Sequence, residues 1–130
     1  MVKWMAVLYG IVASLVIGFI SGLGLPFTDA TVPVIGAGLT GLIAGGIAGY
    51  AAREGLGSGA VHGFLATTIG AIIVTLVLLL IGTLVAGIFG FSVGVVALIW
   101  VAATGIPGAI GGAVGGAVAP EPGATGRPAA

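Results

Sequence analysis

The chain has 130 residues, of which 59% are apolar and 5% charged; its net charge is zero, it has no cysteine, and it has 27 glycines. So few charges cannot hold that much apolar surface in water, which excludes a soluble domain. High hydrophobicity without net charge excludes a disordered chain, and glycines without a three-residue period exclude collagen. An integral membrane protein is what these numbers leave.

The charged residues Lys3, Asp29, Arg53, Glu54, Glu121 and Arg127 bound three uncharged stretches, 4–28, 30–52 and 55–120. A helix needs about 20 apolar residues to cross roughly 30 Å of hydrocarbon. The first stretch predicts one span over 4–25, closed by Pro26, which cannot continue a helix ladder. Its apolar run is longer than the roughly 7–15 residues of a signal-peptide core, so it reads as an uncleaved span. The second stretch predicts a span over 33–52, opened by Pro33 at a position where a missing N–H is harmless. The third is too long for one span and predicts two, 61–86 and 93–119, with the break in GIFGFSVG at 87–94. Pro107 is expected to kink the fourth span or to break it near residues 104–105. A division into three short spans is disfavoured, because 105–119 would reach only about 22 Å. The tail at 120–130, PEPGATGRPAA, reads as a disordered cytoplasmic tail beside a transmembrane domain over 1–119. Strands of alternating polarity, which a membrane barrel needs, are absent from the pattern, so the expected fold class is an all-α integral membrane protein with four transmembrane helices.

An even number of spans puts both termini and the 53–60 loop on one side. Lys3, Arg53 and Arg127 are all on that side, and the opposite loops carry only Asp29. The positive-inside rule makes that side the cytoplasm, which predicts a multi-pass protein of the cell membrane.

The most informative pattern is small residues every fourth position. The second span has Ala37, Gly41, Gly45 and Gly49, and the fourth has Thr104, Gly108, Gly112 and Gly116. The first has Gly10, Ser14, Gly18 and Gly22, and the third begins Gly59, Gly63, Thr67, Ala71. Residues four apart share a helix face, and small residues there let a neighbouring backbone approach closely in lipid. Gly18, Gly22, Gly41, Gly45, Gly49, Gly108, Gly112 and Gly116 are therefore the expected helix-packing positions, in small-xxx-small glycine ladders, against either the same chain or another copy. GLIAGGIAGYAA (41–52) also aligns with GAIGGAVGGAVA (108–119). This suggests a parallel two-fold internal repeat, although low complexity produces the same match. Spans two and four have few large apolar residues to favour insertion, so they are expected to be the inner helices. Spans one and three are expected to supply more of the lipid face.

Few residues offer chemistry. His62 is the only histidine, in GSGAVHGF at the start of span three. A proton relay or metal site needs partners, so the simpler reading is interfacial packing with a hydrogen bond to backbone. A functional His62 requires a ring of several copies. Asp29, in LPFTDATVP, reads as a solvated turn or helix cap, with an acidic ring at a pore mouth as its functional alternative. Thr40, Thr67, Thr68, Thr75 and Ser14 are expected to bond their own helix carbonyls. The pattern offers no charge deep in a span, as ion-coupled transport usually needs. It also has no nucleotide-binding loop, nucleophile triad or zinc spacing, and no basic patch for nucleic acid. No catalytic residue, cofactor or metal is expected.

The VKW start, the LP at 25–26 before TDATVPVIGAGL, the GSGAVHGF turn and IPGAIGGAVGGA near the end together resemble a family of small, glycine-rich, uncharacterised membrane proteins of archaea, especially halophilic ones. The resemblance covers most of residues 1–119 and implies a four-span membrane protein from an archaeal source. It implies no activity and no site residue. The functional expectation is a non-enzymatic structural or assembly component that acts through contacts with membrane lipids, with itself or with another membrane protein. The alternative is an oligomeric pore or passive channel for a small solute, lined by glycine and threonine faces.

Overall fold

A computed structural model describes residues 1–24 and 31–120, without the side-chain surroundings of 18–24, 31–37, 102 and 104. It contains three helices, α1 (Trp4–Gly24), α2 (Thr31–Ala52) and α3 (Gly55–Val118), with no strand among the described residues. Asp29 and residues 121–130, including most of the tail, lie outside the described residues.

The three-helix count conceals a fold-back. Within α3 a single residue, Gly87, leaves helical geometry, with φ 59° and ψ −135°. That conformation is open to glycine and strained for any side chain. α3 is therefore two arms, 55–86 and 88–118, joined at one residue where a break over 87–94 was expected. The arms can close so tightly because Gly82 and Gly90 face each other beside the bend: a methyl on Gly90 would overlap the Gly82 carbonyl.

Three features differ from the expectation. α2 begins at Thr31 and includes Pro33 in its first turn, where proline costs no ladder bond. α3 begins at Gly55, so GSGAVHGF is helical and not a turn. Glycine's poor helix propensity is a weak prior that tertiary packing overrides, and here Gly59 and Gly63 lie directly against the second arm. The link between α2 and α3 shrinks to Arg53 and Glu54, with positive φ at Arg53 (53°) and Gly55 (80°). Helical geometry also continues through Pro107, so the expected break near 104–105 is absent. Apolar helices tolerate proline where a neighbouring helix supports the chain, and at this level Gly105 sits against Phe64 and Thr68 of the first arm.

Contacts fix the directions. Lys3 meets His62, Gly10 meets Ala66, and Gly70 meets Ser14, so α1 runs parallel to the first arm. Gly111 meets Leu42 and Gly115 meets Gly46, so α2 runs parallel to the second arm. The chain start, the 53–54 turn and the end of α3 lie at one end of the molecule. The bend at Gly87 lies at the other.

Burial divides along the helix axis. Most buried side chains (Ala6, Val7, Ala44, Ala48, Ala52, Ala66, His62 and Thr67) belong to the half that holds the chain start, and Val101 lies about midway along the second arm. The most apolar stretch of α3 has none of its residues buried. One helix, Gly55–Val118, is long and apolar enough to cross a membrane, and apolar stretches also fill Trp4–Ile17 and Gly38–Ala52.

Candidate functional site

Two features stand out: a set of backbone-to-backbone helix contacts and a polar cluster at one end. In the first, methyls on Gly45 and Gly49 would overlap the carbonyls of Gly108 and Gly112 in the second arm. Methyls on Gly111 and Gly115 would overlap the carbonyls of Leu42 and Gly46 in α2. The second arm meets the first arm in the same way: methyls on Gly112 and Gly116 would overlap the carbonyls of Gly59 and Gly55. No side chain separates these backbones, so dispersion contact is as close as helices allow.

The pairs of adjacent glycines explain how one helix serves two neighbours. In GGAVGG (111–116), Gly111 and Gly115 face α2, while Gly112 and Gly116 face the first arm. Adjacent positions on a helix point about 100° apart, so two four-residue rows give two contact stripes. Sequence reasoning singled out Gly112 and Gly116 and missed Gly111 and Gly115. The doubled glycine at each step was the available signal. Of the other expected packing positions, Gly41 is buried. Gly18 and Gly22 belong to α1, and their surroundings lie outside the description. α1 joins the core through Gly10, where a Cβ would lie 2.6 Å from the Ala66 Cβ and 2.8 Å from the Ala48 Cβ.

Hydroxyls along the helices mostly turn back on their own backbone. Ser14 donates to the Ile11 carbonyl at 2.8 Å, and Thr67 to the Gly63 carbonyl at 2.9 Å. Thr83 and Ser92 do the same at 2.6 and 2.9 Å. Thr68 departs from the expectation, because its buried Oγ1 has no hydrogen-bond partner.

The polar cluster gathers Lys3, Glu54, Ser58 and His62. The Lys3 ammonium donates to the Ala52 carbonyl at 2.8 Å and pairs with Glu54 Oε1 at 3.0 Å. It therefore sits on the free carbonyls and negative dipole end of α2. The Ser58 hydroxyl donates to Glu54 Oε2 at 2.8 Å. That bond first, and the Lys3 ammonium second, hold the Glu54 carboxyl below its ordinary value. His62 is 1% exposed, and both of its ring nitrogens are engaged inside the chain. The sequence reading gives His62 a hydrogen bond to loop backbone; in the structure its Nδ1 faces the Ser58 carbonyl of its own helix, and its Nε2 accepts from Lys3, which lies 59 positions away. No group of three metal-ligating side chains occurs among the described residues.

An open groove of about 870 Å³ runs along the outside of α1, α2 and the second arm, lined by residues such as Tyr9, Val16, Ile43, Ile47, Tyr50 and Val114. Its walls are apolar and hold no convergent polar groups of the kind that orient a polar ligand. No curated protein and no solved structure matches the chain. A family model covers residues 4–118, from the first residue of α1 to the last of α3, and the chain belongs to that family, DUF5518, a family of unknown function.

Proposed function

We propose that this is a four-span integral membrane protein, with both termini in the cytoplasm, and that it is a non-enzymatic structural or assembly component acting through helix–helix and lipid contacts. One observation carries the reading: the glycine faces are used up against backbone within the chain, while the large apolar side chains point outward. Leu78, Leu80, Leu84, Val85, Ile88 and Ile99 are each more than 50% exposed. A water-soluble protein would reverse that arrangement, whereas in lipid small residues join helices and large ones meet acyl chains. The topology is supported by the position of Lys3 and Arg53 at the end where the chain starts, in line with the positive-inside rule. The small-residue spacing is our reading of why these particular backbones meet. The archaeal source rests on the sequence motifs alone.

The pore reading gains no support from this geometry, because the glycine rows that would line a channel face one another. The experiment is liposome flux, combined with reporter accessibility in cells. Reconstituted protein is expected to leave solute and ion gradients intact, and a tag after Arg127 is expected to be reached only from the cytoplasm. Solute flux that scales with protein would overturn the structural reading. A tag reached from outside intact cells would overturn the four-span topology.

A further inference from the structure

His62 is the one ionisable side chain fully buried among the described residues. Its hydrogen bonds fix where its proton sits. Nδ1 lies 2.7 Å from the Ser58 carbonyl and 3.2 Å from the Ser58 hydroxyl oxygen. A carbonyl only accepts, so Nδ1 carries a hydrogen. Nε2 lies 2.7 Å from the Lys3 backbone nitrogen, which only donates, so Nε2 is bare. These partners fit one form of the ring, the neutral Nδ1–H tautomer.

We propose that His62 is a proton-sensitive latch: while neutral it holds the start of the chain against α3, and when it takes up a proton it releases residues 1–3. The added proton goes to Nε2, which changes from acceptor to donor and faces the Lys3 N–H. Two donors cannot share a 2.7 Å contact, so that bond must break. Lys3 also carries the bonds to Ala52 and Glu54, so one displaced residue loosens the ends of all three helices together.

The charges nearby add to the effect. On the α1 side are the Lys3 ammonium and the terminal amino group, and the α2–α3 turn carries Arg53 and Glu54. Residues 88–118 of the second arm carry no charge. A positive imidazole therefore joins three positive groups and one carboxylate. The phenols of Tyr9 and Tyr50 line the outer groove. Histidine is the side chain whose ordinary charge change falls between pH 5 and 8. Glu54, held low by Ser58 and Lys3, stays ionised through that window.

The chain has one histidine and one lysine, so ¹⁵N labelling of these two residue types gives signals that need no assignment. The test is magnetic resonance of the full chain in phosphatidylcholine vesicles, titrated across roughly pH 5 to 8. At the alkaline end we expect a protonated Nδ1 and a bare Nε2. On acidification we expect both nitrogens protonated and the Lys3 amide signal shifting with the same midpoint. An Nε2–H tautomer at the alkaline end would overturn the proposal. So would an imidazole that never titrates, or a Lys3 amide that stays fixed while the ring titrates. In His62→Gln, which cannot titrate, the Lys3 amide is expected to be independent of pH across the window; a shift that persists there would assign the switch to another group and refute the latch.

Discussion

The two halves of the molecule are both built from largely apolar sequence and pack in opposite ways. Around Gly45, Gly59 and Gly112 the helices touch backbone to backbone, and the buried alanines lie in the same half. Toward Gly87 the two arms of α3 carry Leu, Ile, Val and Phe that are mostly exposed. Each arm is longer than 30 residues and reaches about 45 Å at 1.5 Å per residue, against roughly 30 Å of hydrocarbon. The difference shows that hydrophobicity alone does not place a residue inside this protein. Where the solvent is itself apolar, leaving it gains a leucine nothing, and close approach of helices becomes the scarce resource. Glycine supplies that approach, so the least hydrophobic apolar residues form the core.

The comparison breaks most severely if the glycine half is widened. Gly45→Leu combined with Gly112→Leu places large side chains on the carbonyls of Gly108 and Gly59. Overpacking costs about 1–3 kcal/mol per site even where side chains can yield, and here the obstacle is backbone. Thermal unfolding in detergent should show loss of the compact fold, and an unchanged melting temperature would contradict the packing account. A smaller and different effect is expected at the bend. A methyl on Gly87 meets nothing within 4 Å, so Gly87→Ala tests backbone conformation alone. It should destabilise by about 1–3 kcal/mol, and the cost should be the same in detergents of different chain length.

The polar end gives two further contrasts. His62→Leu removes the acceptor for the part-buried Lys3 N–H, and losing one such hydrogen bond costs about 0.5–1.5 kcal/mol. Chemical denaturation of that variant at neutral pH measures the loss. Glu54 makes the smallest contribution, since its carboxylate pairs with Lys3 and Ser58 at the solvent-accessible surface. Its folded-state value is lowered by Ser58 and Lys3, so the stability it contributes is present above the ordinary carboxylate range. That stability is lost as pH falls through the lowered value. Acid titration of the melting temperature should show a shallow drop there, and Glu54→Gln should remove it.

Much of the architecture could be read from the sequence because charge is so scarce. Six charged residues leave few places for helix ends, and Arg53–Glu54 did mark the turn between α2 and α3. The fold-back in the long uncharged stretch was also readable, but its form was not: a turn of several residues was expected, and Gly87 makes it alone. Local propensity misled at GSGAVHGF, where packing against Gly112 and Gly116 holds glycine-rich chain in a helix. The four-residue spacing proposes Gly45, Gly49, Gly108 and Gly112 as packing positions, yet periodicity cannot say which helix a row faces, and the partner rows emerged only from the contacts. The Lys3–His62 bond was illegible for a similar reason. It joins the two ends of parallel helices, and nothing in either local sequence encodes the other.

The most direct test sets one added methyl against one lost side chain. Gly45→Ala and Leu80→Ala would be unfolded reversibly in the same lipid bicelles. The account predicts that Gly45→Ala, which adds a single carbon against the Gly108 carbonyl, destabilises by about 1–3 kcal/mol. It predicts that Leu80→Ala, at a side chain 61% exposed, changes stability by less than about 0.5 kcal/mol. A Leu80→Ala loss equal to or greater than that of Gly45→Ala would contradict a core built on backbone contact.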